Sequence, residues 1–161
     1  MSELVIRALN AHDREWLPGF ITQRWGAVLV VAHGQIFHPA KLPGFAATQG
    51  EELVGVATYA FEGDDCEIIT IDSLRPGQGI GTELIRSVKS AAAGNLCRRL
   101  WLITTNDNMN ALRFYQKQGF VLVKVNRNAI EASRKYKPIP ALGLDGIPLR
   151  DEIELEMPLN R

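Results

Sequence analysis

Only two cysteines occur in 161 residues, Cys66 and Cys97; they lie far apart and neither belongs to a pair with metal-ligand spacing. That excludes a disulfide framework and a thiolate metal knot, and it fits reduced thiols in a cytoplasmic protein; no metal is expected. An excess of one charge sign is also missing. Eighteen Lys+Arg balance 18 Asp+Glu, so no overall field draws the chain to nucleic acid or to an anionic membrane. The longest early apolar run, AVLVVA, is far too short to span a bilayer. The opening MSELVIRALNAHDREW carries charge where a secretory leader needs an apolar stretch. Repeats, linkers and low-complexity segments are absent as well. With 46% hydrophobic and 22% charged residues, an ordinary globular composition, the length predicts a single domain over 1–161 with its own core.

What is present is an alternation of strand and helix patterns. ELVIRAL reads as a first strand, followed by a helix over about 12–24. AVLVVAHG and GFAATQ read as short strands. ELVGVATYAFEG and DDCEIITIDSL form a hairpin around Gly63-Asp64-Asp65. From Gly79 the period changes: Ile80, Leu84, Val88 and Ala91/Ala92 share one helical face that ends near Gly94-Asn95. RRLWLITT is a continuous apolar run, as a strand covered on both faces requires. A second helix is expected over about 108–118 with Gly119 as its stop, then the strand FVLVKVN and a short helix over 128–136. KPIPALGLDGIPLRD reads as an extended loop. EIELEMPL alternates Glu152, Glu154 and Glu156 with Ile153, Leu155 and Met157, a strand with one wet face. The expected class is α/β (α+β), with a mixed sheet flanked by helices.

The stretch DSLRPGQGIGTELI places Gly77, Gly79 and Gly81 at alternate positions where a strand turns into a helix. Main-chain N–H groups at a helix start lack internal partners, and the helix dipole adds positive potential there. Glycine lets an anion reach those donors without a Cβ in the way. The loop therefore suits a phosphate, and the span a pyrophosphate, with the Thr82 hydroxyl in the first turn. A Walker loop is excluded, because Thr82 and not Lys follows the last glycine. A G-x-G-x-x-G fingerprint starting at Gly77 fails at Thr82. Taken alone, the loop also reads as a tight strand–helix turn without a ligand.

RPGQGIGTELI resembles the acetyl-CoA loop of the GNAT N-acetyltransferase superfamily, written Q/R-x-x-G-x-G/A. Some thirty residues on, NMNALRFYQKQGF resembles that family's second signature, from Asn108 to Phe120. The resemblance is closest from about Leu53 to Phe120, and KPIPALGLDGIPLRDEIELE looks like the hallmark of one bacterial subgroup. One departure stands out: Pro76 occupies the position where the family has Gln or Arg, and proline offers no N–H. Gln78 and Arg75 are placed to compensate with their side chains.

The resemblance implies a mostly antiparallel central sheet in which two parallel strands, EIITIDSL and RRLWLITT, splay apart. It implies direct transfer of an acetyl group from acetyl-CoA to a primary amine of a small molecule or protein. The pantetheine arm is expected along Ile71, Asp72, Ser73 and Leu74 like an added strand, and the phosphates on Gly77, Gln78, Gly79, Ile80, Gly81 and Thr82. Asn108 and Ala111 are expected at the CoA arm, although Asn106 and Asn108 also have the chemistry of helix caps. Tyr115 matches the family tyrosine that hydrogen-bonds the CoA sulfur and serves as general acid; without the motif, an aromatic at that helix position reads as a core residue. For the base, the candidates are Glu67 and Asp72; strand parity puts them on opposite faces, and Glu67 is preferred. His33 and His38, in the region where the family builds its acceptor pocket, are read as solvent-facing turn residues, and Trp16, Trp25 and Trp101 as packing residues. The long loop over 137–150 is a candidate cover for the acceptor site. The expected partners are acetyl-CoA and an amine acceptor, with no nucleic acid and no membrane, in a monomer or homodimer. Two other readings remain open: a non-catalytic acyl-CoA-binding sensor, and an acyltransferase using a longer acyl-CoA.

Overall fold

A computed structural model describes residues 2–159; Met1, Asn160 and Arg161, which the expected domain over 1–161 includes, lie outside the described residues. The strands are β1 (Leu4–Ala8), β2 (Val30–Ala32), β3 (Gln35–Phe37), β4 (Gly44–Gln49), β5 (Glu52–Glu62), β6 (Asp65–Ser73), β7 (Arg99–Thr105), β8 (Val121–Asn126) and β9 (Glu152–Pro158). The helices are α1 (Asp13–Trp25), α2 (Ile80–Gly94), α3 (Met109–Gln118) and α4 (Ala129–Ser133). Seven strands form one sheet in the order β1-β4-β5-β6-β7-β9-β8. Every neighbouring pair is antiparallel except β6–β7, which is the mixed, mostly antiparallel sheet that the sequence predicts.

One sheet face carries the larger core. Ile80, Leu84, Val88 and Ala92 of α2 pack against Cys66, Ile68, Leu100, Leu102 and Leu155, with Phe120 closing the end. Fully burying one such aliphatic side chain contributes about 1.5–3 kcal/mol, so this helix stripe outweighs any local propensity. On the other face, Leu17 and Ile21 of α1 meet Val56 and Ala40. There α1 is fastened at its start by Asp13, which accepts two bonds from the Arg7 guanidinium (2.7 and 2.8 Å), one from the Asn10 N–H and one from Trp16 Nε1.

The parallel pair positions the site. β6 and β7 pair only from Asp65↔Arg99 to Ile68↔Leu102. β6 then runs on to Ser73 and β7 to Thr105 without pairing each other, each held on its outer side by β5 or β9. The two strands therefore open a V whose inner edge on β6 exposes main-chain donors and acceptors.

Four local expectations need correction. The parity that separates Glu67 from Asp72 fails: Thr58 pairs with Thr70 and Tyr59 with Ile68, so Ile69 is a bulge. Glu67 then opposes Ala60 and Asp72 opposes Val56, four residues apart on one strand, which sets both carboxylates on the same face. The wet face of β9 is not wet, because Glu152 and Glu154 are buried and Glu154 and Glu156 bond Arg99. The segment after β2 turns back as β3, an unanticipated hairpin whose two-residue His33-Gly34 turn has both φ positive (40° and 77°). The loop over 137–150 is tied rather than extended: Leu142 bridges Pro148, and Asn106 accepts from the Arg150 and Asp151 N–H groups (3.0 and 2.9 Å).

Candidate active site

The V between β6 and β7 opens into a cleft of about 870 Å³. One end is the glycine loop. Gly77 and Gly79 adopt φ of 81° and 79°, with open space where a Cβ would stand, and Gly79 is the residue at which α2 begins. Only glycine takes that conformation without strain, and the α2 N-terminus is left uncovered. Gly81 has a different reason to be glycine, since a Cβ there would lie 2.9 Å from Phe114 Cζ. Pro76, Gly77, Gly79, Ile80, Gly81 and Thr82 line this end, and Ile71, Asp72 and Ser73 line the β6 edge. Gln78 and Leu74 do not line it; both are exposed, and the Leu74 N–H is used by Val54 O at 2.8 Å. Arg75 is turned away from the cleft to Gln49 and Glu52.

The middle of the cleft is lined by α3. Asn108 and Ala111 sit on its wall, and the Asn108 side chain accepts from the Ala111 N–H at 3.1 Å, so it caps the helix. Asn106 serves the loop described above. Tyr115 lines the cleft while its ring packs on Phe114 and Phe120. Core position and cleft position are thus the same position. Burial, with the Asp72 charge adding to it, lifts the phenol above its ordinary range, which keeps its proton on oxygen.

The far end is acidic. Glu67 is 5% exposed, and both its oxygens lie 2.9 Å from His33 Nε2. Burial raises this carboxyl above the usual range, against the opposing pull of His33. The bond to Glu67 in turn raises the imidazole above 6.5. Glu152 accepts from the His33 main-chain N–H at 3.1 Å, and burial raises its carboxyl too. The His33 ring also rests on Trp101, with centroids 5.0 Å apart. On the β6 edge between Glu67 and the glycine loop, Asp72 accepts from Trp25 Nε1 at 2.9 Å and Arg24 Nε at 3.3 Å, and burial again raises its carboxyl. Among the described residues, no group of three or more His, Cys, Asp or Glu side chains is gathered to hold a metal ion.

Sequence reasoning passed over His33, Trp25, Arg24, Glu152 and Lys137, all of which belong to this end of the cleft or to its polar lining. For His33 a signal existed: VVA-HG-QIF is a two-residue turn between short apolar runs, and His is enriched among non-glycine residues at positive φ. Trp25 carries no such signal, because its indole N–H finds Asp72 only through the β6 bulge.

Residues 8–120 match the acetyltransferase (GNAT) family. Two relatives from Bacillus subtilis (strain 168) are similar over most of their length: "Uncharacterized protein YdhI", 41% identical over 93% of this chain and 95% of that protein, and "Uncharacterized protein YxbD", 40% identical over 88% and 91%. Among solved structures, the chain resembles the "IAA acetyltransferase" of Bacillus cereus ATCC 14579, with a TM-score of 0.75 and 25% identity over 98% of this chain and 100% of that one. The fold also matches a GNAT family acetyltransferase from Elizabethkingia anophelis with acetyl-CoA bound, with a TM-score of 0.71 and 21% identity over 99% and 100%. The splayed β6–β7 pair, the glycine loop at the start of α2 and the α3 signature are accordingly those of the family to which this chain belongs, the GNAT acetyltransferases.

Proposed function

We propose that the protein moves the acetyl group of acetyl-CoA directly to a primary amine. The observation that carries this reading is one continuous cleft, with an uncovered helix N-terminus at one end, a buried tyrosine in the middle and a His–Glu pair at the other. Pyrophosphate oxygens would meet the N–H groups at the α2 start, and pantetheine would add to the free edge of β6 from Ile71 to Ser73. The amine nitrogen attacks the thioester carbonyl carbon and the C–S bond breaks. The nitrogen's proton passes to the His33–Glu67 pair. The Tyr115 hydroxyl donates to the leaving sulfur, and because burial holds its proton tightly, it acts chiefly as a hydrogen-bond donor there. Asp72 suits the base role less well, since Trp25 and Arg24 already occupy its oxygens. A ping-pong route through a cysteine has no support: Cys66 and Cys97 are buried, neither lines the cleft, and burial pushes the Cys66 thiol up to about 12.

The experiment is calorimetric titration of acetyl-CoA into wild type and Thr82→Glu, followed by thiol release with a panel of amines. Thr82 is half-buried in the first turn of α2, so this variant sets a negative charge beside the expected phosphates without straining a positive-φ glycine. Micromolar binding that falls at least about thirtyfold in the variant, together with amine-dependent thiol release, supports the transferase. Binding without release under any amine favours the acyl-CoA sensor. No binding by wild type defeats both.

A further inference from the structure

The acceptor end of the cleft contains a charge that acetyl transfer leaves unused. The carboxylates that line the cleft are already matched: Glu67 by His33 Nε2, Glu152 by the His33 N–H, and Asp72 by Trp25 and Arg24. Lys137 is not matched. Its side chain lines the cleft, half-buried, and Nζ reaches only the main-chain oxygens of Trp25 and Leu29, at 3.4 and 3.3 Å. Among the described residues no carboxylate lies within ion-pairing distance of it. An ammonium partly withdrawn from water without a counter-ion is disfavoured, and burial lowers this one's pKa.

The fold holds that cation in place. Pro138 restricts the residue before it to extended backbone. Arg134 of the turn after α4 bonds the carbonyl oxygens of Ile139, Pro140 and Leu149 at 3.4, 3.0 and 2.9 Å, which fixes the segment just beyond Lys137. The same segment adds Ile139 to the cleft wall, which Val31, Ile130 and Trp25 also line. This end of the cleft therefore offers an acidic wall, one unmatched cation and an apolar surface.

We propose that Lys137 receives the carboxylate of the acceptor, and that the acceptor is a free amino acid with an apolar side chain. The inference rests on the acetyl-transfer reading. The amino group faces Glu67 and His33, the carboxylate ends on Lys137, and the side chain lies on Val31, Ile130 and Ile139. The nitrogen gains the acetyl carbon and loses one proton, the sulfur leaves as CoA thiol, and the product is an N-acetyl amino acid.

The test compares each amino acid with the amine that lacks its carboxylate: L-leucine with 3-methylbutylamine, L-methionine with 3-(methylthio)propylamine, and L-phenylalanine with 2-phenylethylamine. Thiol release gives kcat/KM for wild type, Lys137→Met and Lys137→Arg. Acetyl-CoA affinity, expected to be unchanged in both variants, reports that they are folded. In at least one pair, Lys137→Met lowers kcat/KM for the amino acid by about tenfold or more and leaves the plain amine within about twofold, while Lys137→Arg restores most of the loss. Comparing variants within a pair cancels the difference in amine basicity. Equal loss for both members of every pair, or no loss for either, overturns the assignment and leaves the transferase standing. Failure of all six compounds while acetyl-CoA still binds overturns the assignment and weighs against the transferase as well.

Discussion

His33 occupies φ 40°, in the left-handed region that costs a non-glycine residue about 1–3 kcal/mol unless its surroundings hold it there. Three contacts do: Glu67 on the ring, Glu152 on the main-chain N–H, and Trp101 beneath the imidazole. The consequence is measurable against pH. The unfolded chain protonates His33 near 6.5, while the Glu67 bond raises the folded value. The pair's stabilisation is thus complete below about 6.5 and drains away as pH rises through the folded value. The melting-temperature gap between wild type and His33→Gln should be widest near pH 6 and shrink toward pH 9; a gap that grows with pH would contradict the pairing. In kinetics, the acid limb of kcat/KM for wild type should lie above 6.5, and the imidazole titration should disappear from it in His33→Gln. Tyr115→Phe should lower kcat by roughly 10–100-fold and leave the KM for acetyl-CoA nearly unchanged. On the proposed mechanism its hydroxyl matters only once charge builds on sulfur, so steady-state rates over a range of acetyl-CoA concentrations separate the two parameters.

Elements differ in how openly the sequence announces them. α2 is legible because Ile80, Leu84, Val88 and Ala92 repeat at helical spacing and all are buried. The glycine loop and the α3 signature are legible because side-chain-free backbone and a fixed run of residues are local features. β6 is only half legible: its strand pattern is plain, but the bulge at Ile69 depends on β5 pairing across the sheet, and no period-2 count contains it. β9 misleads for a related reason. Its glutamates alternate as on a solvated face, yet Arg99 and His33 arrive from distant parts of the chain to meet them. α1 holds Pro18 and Gly19, both poor helix residues, so it depends on Leu17, Ile21 and the Asp13 anchor. Asp13→Asn should therefore cost about 2–3 kcal/mol in urea unfolding near neutral pH. The Arg7 bonds hold the Asp13 carboxyl well below the usual range, so its contribution is present above about 3.9, the unfolded value, and is lost as pH falls toward the folded one. The stability gap should stay constant above about pH 5 and close in acid. A gap independent of pH down to 2 would rule out the charged pair as its source.

At the scale of the whole molecule, the seven-stranded sheet has two parts, β1-β4-β5-β6 and β7-β9-β8, joined strand to strand, among the described residues, only by the pairing from Asp65 to Ile68 with Arg99 to Leu102. Arg99 secures that junction: its Nε bonds Asp65 on β6 at 3.1 Å and its Nη1 bonds Glu154 and Glu156 on β9 at 3.1 and 2.9 Å. Beyond the junction no strand pairing among the described residues bridges the halves, and on the proposed acetyl-transfer reading a pantetheine arm would add a strand in that gap. A cosubstrate seated there would supply main-chain bonds to the β6 edge that faces the gap, so it should stabilise the junction as well as fill a site. Saturating acetyl-CoA at about a hundred times its Kd adds about 2.7 kcal/mol by mass action alone. Hydrogen exchange should reveal where that stabilisation acts, with the 69–73 amides slowed far more than those of α1 or β8. Arg99→Ala should lower the melting temperature of the free protein and recover more of the loss with acetyl-CoA than a core variant such as Leu17→Ala, because only the former weakens the joint that the ligand spans. Equal recovery in the two variants, with protection spread evenly over the chain, would mean that the ligand stabilises the fold without bridging its halves.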